Sequence, residues 1–336
     1  MIRTLAVAAT AVSVLLAPQT ALAWGNMGHR LVGEAAILSL PAELPAWLRT
    51  ADAVRDVGEY SREQDRAKGA GKVHDHNRDA GHFLDLDDQG HILGGPPFLP
   101  LPQTRADYEK ALQAKGLNSW DAGYLPYSII DQHQQLVKDF GYWRAAVAGA
   151  KVETDKVKRA WLTRDAQRRR AQVLQTIGHL SHFVGDGSQP MHVTVHYNGW
   201  GDYPNPKGYS TAKLHGPFES EFVSANVTLP MVRSRMAALR PFEAPLEART
   251  TQYLLRTAGF VEPFYALEQA GGLAPGDARG KAFAAERLAA GASELRDHIV
   301  AAWRESGSIK VGWPAVLVSD VEAGKAPAYI PLHGKD

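Results

Sequence analysis

From Ile129 the apolar or bulky positions recur at His133, Leu136, Phe140, Trp143 and Val147. Alternating steps of four and three place them on one stripe of a helix. A second helix is predicted over about 157–186, with Val173, Leu174, Ile177, Leu180 and Phe183 facing inward. A third runs over roughly 278–305, reading Leu288, Ala292, Leu295, Ile299 and Trp303 along one side. Strand signals are scarce, and only Val316 to Val321 reads as a short strand. His133 reads as a core histidine on its apolar stripe, and Arg168-Arg169-Arg170 as a solvated face. The pattern predicts an all-α, mostly helical single domain.

Connections rich in turn residues lie at about 86–104, 193–214 and 270–279. Loops as long as the first two are functional or disordered in most compact proteins. The middle one is read as functional, because histidines stand at both of its ends.

Residues 1–23 run from a basic start at Arg3, through an apolar stretch from Leu5 to Pro18, to Ala21-Leu22-Ala23. This is the pattern of a secretory signal peptide, and the apolar stretch is too short for a membrane anchor. The expected location is therefore secreted or periplasmic, with no stable membrane insertion. Cleavage after Ala23 would expose Trp24, whose new α-amino group, with a pKa of about 8, can act as a nitrogen ligand to a metal.

Composition narrows the chemistry further. The 336 residues carry 37 Lys plus Arg against 36 Asp plus Glu, so no broad basic face for polyanions is expected. There is no cysteine, which removes disulfides, thiolate metal sites and Cys nucleophiles. A strong metal site must then be built from carboxylates and the 13 histidines.

Within SHFVGDGSQPMH, His182 and Asp186 are four apart, so both project from one helix face and can grip one ion. Gln189-Pro190 ends that helix and His192 follows. In KLHGPFESEF the spacing recurs at His215 and Glu219. A single pair of this kind is compatible with an ordinary surface or core contact; two pairs with a histidine between them point to a metal centre. Upstream, His29 stands five residues after Trp24, and His82 lies just ahead of an acidic run in which Asp85, Asp87 and Asp88 read as a solvated turn. His74 and His76 read as an exposed loop, and His179 and His196 as neighbours that orient a ligand or do nothing.

In this order the motifs resemble the zinc-dependent S1/P1 nucleases and their relatives, the bacterial zinc phospholipases C, from Trp24 to about Val223. The resemblance implies a mostly helical fold with long loops around a cleft holding three Zn2+ ions. It implies a first zinc on Asp65, His82, His182 and Asp186, and a second on His192, His215 and Glu219. A third is implied on the amino nitrogen and carbonyl of Trp24, with His29 and a bridging Asp186. Residues 24–310 would form the phosphodiesterase domain, and 311–336 an extension packed on it or trailing from it. The implied reaction is attack on a phosphodiester by a zinc-activated hydroxide, with Asp65 orienting or deprotonating the water. The implied substrate is single-stranded nucleic acid or a nucleotide; no protein partner is expected.

The match departs from the family pattern in places. Glu219 stands where the nuclease branch has Asp and the phospholipase branch Glu, whereas the five-residue step from Trp24 to His29 is the nuclease arrangement. Asp65 sits in SREQDRAKG rather than Trp-Ala-Asp, so it is assigned by its distance from His82, with Asp56 as the alternative. Tyr197, Trp200, Tyr203 and Tyr209 in the middle loop could stack on bases, box a choline headgroup or pack the loop on itself. A phospholipase C and a non-catalytic periplasmic zinc-binding protein are the alternatives to a nuclease.

Overall fold

The computed structural model describes residues 24–66, 71, 73 and 78–335. The expected leader 1–23, together with His74 and His76, lies outside the described residues. The longer helices are α1 (Asn26–Ile37), α2 (Ala51–Tyr60), α3 (Arg105–Gln113), α4 (Leu125–Val152), α5 (Lys156–Asp186), α6 (Leu246–Ala258), α7 (Val261–Gln269) and α8 (Ala278–Glu305). The chain is mostly helical, as its periodicity predicts, with a single two-residue hairpin among the described residues, β1 (Lys310–Val311) antiparallel to β2 (Val316–Leu317). Among the described residues no helix is long and apolar enough to cross a membrane.

Helices α4 and α5, of 28 and 31 residues, pack extensively on one another. Only residues 153–155 join them, so they return along one another as an antiparallel pair. Asp155 starts α5 by accepting from the Val157 and Lys158 amides at 2.8 and 3.1 Å, satisfying two of the donors a helix start leaves open. Ile129, His133, Leu136 and Phe140 are buried on α4, and all five expected core residues of α5 are buried. Helix α8 has the predicted bounds and lays Leu288, Ala292, Leu295 and Ile299 into the same core. Trp143, Val147 and Trp303 close those stripes half-buried. Arg169 and Arg170, expected to be merely solvated, cover the rings of Tyr142 and Trp47 at 4.6 and 4.9 Å.

The expected strand from Val316 to Val321 is corrected: only Val316–Leu317 is extended, and a helical turn begins at Val318. Val318 and Val321 are three apart, so helix puts both on one face, in a second small core with Ala145, Leu162, Val311 and Ala328. Residues 311–335 thereby pack on α4 and α5.

Close packing of α2 on α5 prepares the site. A β carbon at Gly178 would lie 2.2 Å from Tyr60 Cβ, so only glycine lets the end of α2 settle there. The segment 80–86 is held between the start of α4 and residues 192–195. Tyr124 N donates to Ala80 O at 2.7 Å, Leu84 N to His192 O at 2.9 Å, and Val195 N to Leu86 O at 2.9 Å.

Candidate metal centre

The last turn of α5 presents His182 and Asp186 on one face, fully buried, with His182 Nε2 3.3 Å from Asp186 Oδ2. His82, on the turn Ala80–His82, brings its Nδ1 to 2.8 Å from His182 Nε2 and 3.1 Å from Asp186 Oδ2. On α1, His29 stacks on His182 with ring centroids 4.0 Å apart and points its Nε2 at Asp186 Oδ1, 3.6 Å away. Asp65 approaches both rings, at 4.0 Å from His182 Nε2 and 3.9 Å from His29 Nε2. Asp56 is exposed on α2, so Asp65 is the carboxylate that faces the histidines.

A second cluster follows the end of α5. Gln189-Pro190 terminates the helix, and the turn Pro190–His192 carries His192. Glu219 lies on the wider π-helical turn Pro217–Phe222, and His215 stands two residues ahead of it. Their donor atoms meet, with His215 Nε2 3.0 Å from His192 Nε2 and 2.8 Å from Glu219 Oε1, and His192 Nε2 3.3 Å from Glu219 Oε1.

Backbone carbonyls fix three of the rings. Ser61 O accepts from His182 Nδ1 at 2.8 Å, His82 O from His192 Nδ1 at 2.6 Å, and Tyr197 O from His215 Nδ1 at 2.7 Å. With Nδ1 carrying the proton, each Nε2 turns an electron pair inward, the arrangement metal-ligating histidines use. Two such lone pairs 3.0 Å apart, on His192 and His215, repel unless a proton or metal cation lies between them. Among the described residues neither ring nitrogen of His29 has a hydrogen-bond partner, and buried Asp186 Oδ1 and Glu219 Oε2 also have none. Buried donor atoms left in this state are costly, and a metal ion would satisfy them. The groups His29, His182, Asp186; Asp65, His82, His182; and His192, His215, Glu219 can each hold a metal ion, with His182 common to two of them.

Charge within the centre is strongly coupled. Burial, helped by His182, pushes His29 down to about 3 against the pull of Asp186 and Asp65, leaving it neutral. Burial resists the charges on Asp186 and Glu219, but the surrounding histidines outweigh it and hold both carboxyls below their ordinary range. Burial also resists protonation of His182 and His192. Their carboxylate neighbours prevail, raising His182 and lifting His192 to about 9. Protons thus compensate the carboxylates that a metal would otherwise neutralise.

Trp24 is buried, and its indole donates to Gly185 O at 2.7 Å, one residue before Asp186. The adjoining Gly25 packs on Ser220 and the Glu219 carbonyl. The chain start expected after cleavage therefore passes directly beside both clusters.

Beside them opens a cleft of about 420 Å³, lined by His82, His192 and His215 together with Phe83, Trp120 and Tyr197. Of the three roles open to the rings of the middle loop, packing on itself is the one that two of them take. Trp200 and Tyr209 are buried, with Trp200 stacked on His196 at 3.8 Å and tilted against Tyr209 at 4.7 Å, so they pack the loop on itself. Tyr203 is exposed and meets the His196 ring edge-on. Tyr197 alone of the four reaches the cleft. His196 is a clamp for the loop, bonding Trp200 O at 2.7 Å and Asp88 at 3.1 Å, and His179 is half-buried on α5.

Asp85, expected in a solvated turn, is buried in the cleft wall with Oδ1 unpartnered; Asp88 of the same run is exposed. Burial pushes the Asp85 carboxyl up to about 8, with His192 opposing. The reading from sequence missed Phe83, Trp120 and Gln189, whose Nε2 donates to Glu219 Oε1 at 2.6 Å. Gln189 stands between the recognised ligands, a usable signal; Trp120, on the short turn Ser119–Ala122, has no such marker. Compared with family models, curated proteins and solved structures, the chain finds no match.

Proposed function

We propose that the chain is a zinc-dependent phosphodiesterase of the S1/P1 nuclease type, with the corresponding helical fold, hydrolysing single-stranded DNA and RNA. In this reading residues 1–23 are a cleaved leader, Trp24 is the mature N-terminus, and the enzyme acts in the periplasm or outside the cell. The observation that carries it is the convergence of buried imidazoles and carboxylates with unsatisfied donor atoms beside an aromatic-walled cleft.

Nitrogen and carboxylate oxygen donors without thiolates suit zinc. Asp65, His82, His182 and Asp186 would hold one ion, His192, His215 and Glu219 another, and His29, Asp186 and the Trp24 main chain a third. Zinc in these positions supplies Lewis acidity, which lowers the pKa of water and offsets charge building on the phosphoryl oxygens. The protein's own part is to orient and to exclude. Asp65, only slightly exposed, accepts a proton from the attacking water and aims it. The carbonyls of Ser61, His82 and Tyr197 keep the rings aligned. Phe83, Trp120 and Tyr197 offer faces for an unstacked base, which a duplex would withhold.

Hydrolysis of phospholipid headgroups is the second reading, favoured by Glu219 at the fourth position of its motif. Purified mature protein incubated with single-stranded DNA, RNA, a 3′-nucleotide and phosphatidylcholine, with and without chelator, separates the two. Chelator-sensitive release of nucleotides without diacylglycerol supports the nuclease. Diacylglycerol alone moves the assignment to a phospholipase C, and tight zinc binding with no product identifies a binding protein.

A further inference from the structure

Away from the metal cleft, two cavities of about 310 and 340 Å³ lie beside α6 and share Arg240 and Arg256 in their walls. Arg235 and Arg287 stand in the wall of the first together with the carboxylate of Glu286, and Glu243 lines the second. Its floor is already neutral. Glu294 accepts from Arg249 at 2.7 and 3.0 Å, and Asp297 accepts from Arg296 at 2.6 Å and Arg249 at 3.1 Å. The wall arginines Arg235, Arg240, Arg256 and Arg287 outnumber the wall carboxylates Glu286 and Glu243. Among the described residues Arg235, Arg240 and Arg287 form no ion pair, and Arg256 has only a 3.9 Å approach to Glu294.

Arg287 lies over the Phe260 ring at 3.4 Å, and its Nε is buried with no hydrogen-bond partner among the described residues. A buried guanidinium donor left open in this way is costly unless an anion or water completes it. The segment carrying the rim is pinned before any ligand arrives: Ala237 N donates to Ser293 Oγ at 3.0 Å, Arg240 N to Asp297 at 3.2 Å, and Arg296 to Ala237 O at 2.7 Å. The groove wall also touches α5, since Tyr253 donates its hydroxyl to Val184 O at 2.6 Å, two residues before Asp186.

We propose that this arginine groove binds the phosphate backbone of single-stranded nucleic acid, as a docking site separate from the cleft. The proposal rests on the nuclease reading for its ligand. Guanidiniums that line two joined compartments match a chain of phosphates better than one compact anion. Arginine supplies the forked donors that phosphate accepts. The overall charge balance hides the groove, because its excess of arginine over carboxylate is offset by acids elsewhere in the chain.

The test uses the zinc-loaded protein and a fluorescent oligothymidylate with phosphorothioate linkages, which keep their charge and resist hydrolysis. Fluorescence anisotropy measures binding from about 50 mM to about 200 mM salt, where backbone binding weakens steeply. For the double variant Arg235→Ala/Arg240→Ala, affinity at the lower salt falls about tenfold, and the salt slope shrinks by about 0.7 for each phosphate that no longer meets a cation. Arg235→Lys/Arg240→Lys retains most of the slope, and both variants melt at the wild-type temperature. An unchanged slope in the alanine variant overturns the groove. Equally fatal is arginine-dependent binding to phosphatidylserine vesicles with none to the oligonucleotide. Cleavage by wild-type protein is scored separately: cleavage with an unchanged slope removes the groove alone, whereas a diminished slope without cleavage removes the nuclease reading and keeps the groove.

Discussion

Gly178 touches Tyr60 so closely that any β carbon would lie 2.2 Å from Tyr60 Cβ, and this packing brings the carbonyl of the following residue, Ser61, to 2.8 Å from His182 Nδ1. A packing requirement and the aim of a proposed metal ligand therefore depend on one missing methyl group. Gly178→Ala is expected to cost about 1–3 kcal/mol through overpacking. Because the Ser61 carbonyl shifts with α2, zinc affinity should fall about tenfold or more. Urea unfolding and zinc competition read the two effects; loss of stability with unchanged zinc affinity would show that Ser61 does not aim His182.

Metal loading should release protons. Carboxylate neighbours raise His182 and lift His192 to about 9, so His192 carries a proton at pH 7 in the metal-free protein. Ligation needs the neutral ring. Calorimetric zinc titration at pH 7 should give apparent heats that vary with the ionisation enthalpy of the buffer, and the variation should fade as pH rises past about 9. Heats independent of buffer at pH 7 would contradict this charge balance.

Asp85 leads to a pH dependence of opposite sign to that of most carboxylates. With its carboxyl raised to about 8 by burial, the folded, metal-free protein binds more protons than the unfolded chain between about pH 4 and pH 8. Its contribution to stability is therefore intact at the acid end of that window and is lost as pH rises through it, by about 1.4 kcal/mol per pH unit. Chelator-treated Asp85→Asn should show a flatter profile than wild type between pH 4 and pH 8; parallel profiles would assign Asp85 an ordinary pKa.

The indole of Trp24 is locked to Gly185 O, which ties the proposed mature N-terminus to α5 beside the candidate ligand Asp186. One extra residue ahead of Trp24 converts the α-amino group to an amide, which cannot serve as a ligand in the same way. Bound zinc measured by elemental analysis should drop by one equivalent while the other sites stay filled. Full occupancy and an unchanged hydrolysis rate would remove the amino terminus from the centre.

Periodicity alone marked the three longest helices, α4, α5 and α8, because a helix that buries one face must repeat its apolar residues with the helical turn; α8 follows its predicted bounds and α5 starts one residue before its own. The i, i+4 pairs His182/Asp186 and His215/Glu219 were legible for the same local reason. Tertiary structure decided what local spacing cannot carry: that His29, Asp65 and His82 meet the end of α5, and that Asp85 is buried rather than solvated. It also turned Trp200 and Tyr209 into loop packing and brought Trp120 and Phe83 to the cleft. Burial and donor convergence are set by which distant segments pack together, and an acidic or aromatic residue in a loop has the same one-letter record whether water or protein surrounds it.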